Sequence, residues 1–173
     1  RKIIAMLPVE RQTLFFSATI DDKIKKVAYS LVRDAIRIQL SPKDPVAKKI
    51  DHAVAYVEMI DKRFFLENII KNNADKKILV FVRTKVRAER VKTAMERVDV
   101  VTDTMHGDKA HEEREQTMHD FRAGSLKVLI ATDVSARGID IPDVEYVVNY
   151  DLPDTSAYYV HRVGRTGRGT QRG

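Results

Sequence analysis

From Ile50 onward, five short apolar runs alternate with stretches of helical spacing, and that alternation leaves the chain few folds to choose from. The runs are HAVAYVEM, KILVFV, VVTDTM, KVLIAT and VEYVVNY, and helices are expected to start near Asp61, Thr84, Asp108 and Thr155. Strands that are apolar along their length must be covered on both faces, and a helix between two strands returns the chain parallel to itself. The pattern predicts an α/β fold of three layers, α/β/α, around a mostly parallel sheet. In such sheets ligands gather beyond the carboxyl ends of the strands, so the loops there should carry the function.

The first forty residues read differently. Leu14 to Phe16 suit a strand, Ile24, Val27, Ala28 and Leu31 form one face of a helix, and AIRIQL (Ala35 to Leu40) suits a second strand. Thr19 followed by Asp21 and Asp22 resembles a helix start. SPKDPVAKK then joins two prolines to lysines and little apolar content, the profile of a linker. The expected division is a terminal segment over 1–40, a linker over 41–49 and a domain over 50–173. The opening strand lacks neighbours in this chain, so the segment is expected to dock abnormally or to swap between copies.

A hydrophobic share of 43% against 32% charged supports a packed core. No run of eighteen apolar residues and no leader pattern are present, which points to a cytoplasmic protein without a membrane span. The absence of cysteine removes disulfides, thiolate metal sites and cysteine nucleophiles, and the five histidines show no metal-ligand spacing, so no metal site is expected. The chain starts at Arg1 and reads as a piece of a longer protein. Its 31 basic and 25 acidic side chains give a net charge of +6, which suits a polyanion partner and equally a solvated surface.

Three loops stand out. In HGDKAHEEREQTMHDF, Asp108 suits an N-cap, while Ala110, Thr117, Met118 and Phe121 share a helix face with Arg114, a helix that Gly124 should end. Arg114 either lays its stem on the core with its head in water or reaches past the sheet edge to an anion. In ATDVSARGIDI, Thr132, Asp133, Gly138 and Asp140 either cap turns or hold sugar hydroxyls and phosphate oxygens. HRVGRTGRGT is either an arginine-glycine tail or a set of guanidinium forks, with Arg165 and Arg168 three apart and so aligned on a helical turn. Forks so placed suit the oxygens of a terminal phosphate. Ser17, Ala18 and Thr19 are fully explained by a helix cap.

Taken in order, these segments resemble the DEAD-box family of ATP-dependent RNA helicases over nearly the whole chain. SAT at Ser17 to Thr19 resembles motif III at the end of the first RecA-like lobe, ILVFVRTK motif IV, HGDKAHEER motif IVa, ATDVSARGIDIP motif V and YVHRVGRTGRG motif VI. KKIDHAVAYVEMIDKRFFLENII resembles bacterial RhlE-type members. The resemblance implies the C-terminal RecA-like domain, preceded by a remnant of lobe one. It implies Arg165 and Arg168 as arginine fingers to the γ-phosphate of ATP, with Asp140 and Gly138 at the nucleotide and His161 linking nucleotide and RNA ends. Thr132, Gly107, Asp108, Arg114 and Thr84 would contact the RNA backbone, largely without regard to sequence, and Ser17 and Thr19 would couple hydrolysis to strand separation. ATP would come with Mg2+, bound mainly by lobe one, which would also be a partner.

Two departures qualify this. His111 stands where the family usually has Gln in motif IVa. No G-x-x-x-x-G-K-[ST] loop, Asp-Glu-Ala-Asp run or adenine-reading motif is present, so the resemblance implies that these 173 residues alone do not hydrolyse ATP. Two rivals remain at this point: a non-catalytic module that binds RNA or a protein, and a helicase acting on DNA.

Overall fold

The computed structural model describes residues 4, 6–17, 22–32, 34–38, 49–136, 144–167 and 172–173. The chain divides into two compact units, Arg1–Pro45 and Val46–Gly173.

In the first unit the described residues include the helix α1 (Asp22–Leu31), and none of them is buried. Leu14, Phe16, Ile36 and Ile38 are all exposed. The strands expected at Leu14–Phe16 and from Ala35 do not form among the described residues. The reason is physical: apolar alternation becomes a strand only where a neighbour completes the hydrogen-bond ladder.

The second unit follows the expected alternation. Its elements are α2 (Lys62–Asn72), β1 (Ile78–Phe81), α3 (Lys85–Glu96), β2 (Thr102–Met105), α4 (His111–Ala123), β3 (Val128–Ala131), the single turn α5 (Asp133–Ala136), β4 (Tyr146–Asn149) and α6 (Ser156–Val163). The four strands are all parallel, in the order β2-β3-β1-β4. Pleating sends alternate side chains to opposite faces. Ile78, Val80, Val82, Val128 and Ile130 pack on Leu66 and Ile70 of α2 and on Ala88, Val91 and Met95 of α3. Leu79, Phe81, Met105, Leu129 and Ala131 pack on Met118 and Phe121 of α4. The fold is therefore the α/β, three-layer arrangement expected. Between β1 and β2 the chain steps one way across the sheet with α3 on one face; from β2 to β3 it steps back with α4 on the other, as one crossover hand demands.

Helix starts at Thr84 and Thr155 occur as read. Thr84 Oγ1 accepts from Arg87 N at 3.1 Å and Thr155 Oγ1 from Tyr158 N at 3.2 Å. Gly124 ends α4 in the left-handed region at φ 82°. Asp108 is not the cap of α4. That helix starts at His111, the Ala110 N–H is met by Glu113 Oε2 at 3.3 Å, and Asp108 pairs instead with Lys85. HAVAYVEM is likewise not a strand. Val54 and Tyr56 are exposed, and no described residue hydrogen-bonds the backbone of 53–57.

Edge strand β2 is held by charge. Asp103 accepts from Lys92 Nζ at 3.0 Å, Lys109 Nζ at 2.8 Å, the Thr117 hydroxyl and Thr104 N. Burial pushes its carboxyl up, but these hydrogen bonds outweigh burial and hold it well below the usual range. A folded value below the unfolded one, about 4, contributes stability that is full above that pH and lost as pH falls through the folded value. Asp103→Asn is expected to be roughly 1.5–3 kcal/mol less stable at neutral pH. In thermal melts that gap should shrink as the pH falls below about 4; a gap of constant size down to pH 2 would show that Asp103 is not the group responsible.

Candidate nucleic-acid and nucleotide interface

The register of the sheet ends all four strands in one row. Met105, Ala131, Phe81 and Asn149 are aligned partners. Neighbouring strands lie about 4.8 Å apart, so the loops after them form one continuous edge. It carries His106, Gly107 and Asp108 after β2, Thr132 and Asp133 after β3, Arg83 and Thr84 after β1, and Asp151 after β4.

Cross-links hold this edge together. Thr132 N donates to Met105 O at 3.3 Å, and the buried Ser135 hydroxyl donates to Met105 O at 2.6 Å. Asp151, also buried, accepts from Arg83 N at 3.1 Å, and its carboxylate faces Lys62 at 3.6 Å and Arg87 at 3.5 Å. On the loop after β2, the Lys85 ammonium holds the Asp108 carboxyl below its usual value.

Helix α6 is anchored by Arg162. This side chain is 2% exposed and lies over the Phe81 ring, with its guanidinium carbon 5.1 Å from the ring centre. Nε and one Nη donate to the two oxygens of Asp133 at 2.7 and 2.8 Å, and the other Nη donates to Asn149 Oδ1 at 3.0 Å and Asp151 O at 2.6 Å. Every strand end except β2 thus contributes to its seat. By sequence Arg162 is one of three regularly spaced arginines, with little local to mark it out. Its partner Asp133 lies 29 residues away, and only the apolar company of Val160 and Val163 hinted at burial.

The sequence-predicted residues fall as follows. Gly107, Asp108, Thr132 and Thr84 all lie on the edge, and Thr84 also caps α3. Arg114 lies in the first turns of α4, partly buried, and its Nε is shielded from solvent with no hydrogen-bond partner. His161, in the last turn of α6, and Arg165, just past its end, are partly buried, and Arg165 N donates to Arg162 O at 3.1 Å. Ser17 is exposed in the first unit. Thr19, Gly138, Asp140 and Arg168 lie outside the described residues. Among the described residues, no group of three or more His, Cys, Asp or Glu stands together as a metal-ligand set, and no helix is long and apolar enough to cross a membrane.

Two glycines behave in opposite ways. Gly167 has φ +65°, and a Cβ there would come within 2.6 Å of Ile50 Cγ1, so the fold itself requires glycine. The close neighbour is Ile50 of the same unit. Gly107 has neither constraint. Its φ is not positive, and nothing lies within 4 Å of where a Cβ would be.

Residues 61–170 match the family described as the helicase conserved C-terminal domain. The chain belongs to this family. Within it the helicase domain is of the DEAD-box kind: it resembles the solved C-terminal domain of the DEAD-box protein Dbp5 at 40% identity and a TM-score of 0.60, over 66% of this chain and 67% of that one. Saccharomyces cerevisiae Dbp5, solved bound to RNA and ADP BeF3, matches at 33% identity and a TM-score of 0.85, over 99% of this chain and 46% of that one. The probable ATP-dependent RNA helicase DDX4 of Macaca fascicularis is 39% identical over 92% of this chain. The chain spans 22% of that protein's length.

Proposed function

We propose that this chain is the C-terminal RecA-like half of an ATP-dependent RNA helicase, that its sheet edge binds the RNA sugar-phosphate backbone, and that the segment following α6 supplies arginines to the nucleotide. In this reading residues 1–40 end lobe one, 41–49 are the linker and 50–173 form the second lobe. The Lys48–Ile70 segment carries the finer likeness to RhlE-type helicases. One observation carries the proposal: at the edge, Gly107 bares a backbone that the fold does not need bare, and four residues into the next helix Arg114 keeps a shielded Nε without a partner. A glycine required by neither sterics nor backbone conformation, followed seven residues on by an arginine whose Nε has no partner, fits an anionic ligand at this edge. The Dbp5 structure with RNA and a nucleotide analogue supports it.

ATP supplies the phosphoryl group whose transfer to water powers the cycle. The residues of this chain that would hold it are Arg165, Arg168, Asp140 and Gly138, with Mg2+ assigned to lobe one. Guanidinium forks fit phosphate oxygens in pairs, which a lysine cannot do. Contacts confined to the backbone of RNA carry no base information, so binding is expected to be insensitive to sequence and sensitive to salt.

The test is a fluorescence-anisotropy titration of a labelled oligouridylate against the chain at low salt. Arg114→Ala is expected to weaken binding about tenfold or more, the value of one charge-assisted hydrogen bond. Gly107→Ala should also weaken it while melting at the parent temperature, since its Cβ meets nothing in the fold. Unchanged affinity in both variants would sink the proposal.

A further inference from the structure

We propose that Glu89 is a positioning residue for the RNA contact, acting through His106. The inference rests on the RNA-binding reading above and names what sets the geometry of its central loop.

The loop after β2 has unusual support. Strand β2 lies at the edge of the described sheet, so no further strand braces the loop from its outer side. Three of its five residues are instead fastened by their side chains. His106 Nε2 donates to Glu89 Oε1 at 2.7 Å, Asp108 pairs with Lys85, and Lys109 Nζ donates to Asp103 Oδ1 at 2.8 Å. Lys85 and Glu89 are one turn apart on α3, so a single helix face grips the loop on both sides of Gly107. The residue left without a side chain is the one facing open space.

Within this clamp the Glu89 end does most of the fixing. The same Glu89 oxygen accepts from Thr104 Oγ1 at 2.6 Å, which seats the carboxylate against β2. Burial pushes the Glu89 carboxyl up, but the hydrogen bonds from Thr104 and His106 outweigh it and hold it below its usual value, so it stays an acceptor at neutral pH. The His106 side chain is 9% exposed, and its Nδ1 is buried without a partner. The ring's only polar tether among the described residues is the bond to Glu89. Asp108 and Lys85, in contrast, are both more than half exposed, and exposed pairs constrain little.

The sign of the expected effect separates positioning from simple charge. Glu89 is an acid beside a surface that takes a polyanion, so on Coulomb repulsion alone its removal should tighten RNA binding. A positioning role predicts the reverse. In the same oligouridylate titration, Glu89→Ala is expected to weaken binding roughly five- to tenfold, about the worth of one lost hydrogen bond. Glu89→Gln keeps an acceptor for both His106 and Thr104 and should bind within about twofold of the parent, about half the worth of such a bond. Should the alanine variant fail to fold, Glu89→Ser, whose hydroxyl is too short to reach His106, repeats the test. Binding by Glu89→Ala or Glu89→Ser that equals or exceeds the parent overturns the proposal, and so does a glutamine variant as weak as the alanine one. Arg114→Ala in parallel separates the two readings. If it and Gly107→Ala both bind RNA as the parent does, the RNA reading itself fails; if it is weakened while Glu89→Ala is not, only the positioning role fails.

Discussion

Arg162→Ala should cost this domain about 3–5 kcal/mol, because it empties the seat of a buried guanidinium and leaves a partly buried carboxylate and two carbonyl oxygens without their donor. Domains of ordinary size are stable by only about 5–15 kcal/mol, so the variant should melt some 10–20 °C lower or fail to fold. The seat explains the size of the effect. Truncation leaves Asp133 charged, Asn149 Oδ1 and Asp151 O without a donor, and a cavity against Phe81. Arg162→Lys separates charge from shape. A lysine keeps the charge, but an ammonium cannot meet both Asp133 oxygens and Asn149 in the plane that the guanidinium occupies. It should recover only part of the loss. Urea unfolding of the three proteins measures this directly, and a loss under about 1 kcal/mol for alanine, the range of an exposed pair, would show that the pair is not holding the strand ends together. The pair also joins the loop after β3 to the helix that leads to Arg165, so a folded Arg162→Lys protein is the material in which to look for misplaced chemistry.

The fold was legible where the signals are local. ILVF and VLIA are apolar throughout because β1 and β3 are central strands covered on both faces, and they form where their sequences say. The caps at Thr84 and Thr155 need only the next three residues. Local reading failed where a distant residue competes. Asp108 has the chemistry of a cap, but Lys85, 23 residues earlier, takes its carboxylate. Val100 and Val101 look like strand, yet β2 begins at Thr102 and is held by Asp103 and Thr104 through partners on α3 and α4. HAVAYVEM has the alternation of a strand and stays unladdered, because pairing depends on a neighbour that the segment cannot specify.

The site divides the same way. Motif order placed Gly107, Asp108, Arg114 and Thr132 in one neighbourhood, since parallel strands bring their following loops to one edge. Sequence could not sort the arginines of HRVGRTGRG. Their spacing is regular, yet Arg162 is consumed by the core while Arg165, just past the helix end, remains partly exposed. Nor could it find Glu89, whose meaning depends on Thr104 and His106 coming to the same oxygen.

That sorting makes Arg165 the position at which the account is most exposed. As the bond to a terminal phosphoryl group breaks, negative charge spreads over its oxygens, and a guanidinium already fixed in place stabilises it without reorganisation. Such arginines are worth roughly 10³ to 10⁵ in rate. The measurement is RNA-stimulated phosphate release by an enzyme in which this chain follows a lobe one carrying the phosphate loop. The 173 residues alone should release none above background. The assembled enzyme should turn over, and Arg165→Ala within it should lose about three orders of magnitude or more with RNA affinity near that of the parent. Turnover by Arg165→Ala at the parent rate, or sustained release by the chain alone, would contradict the account.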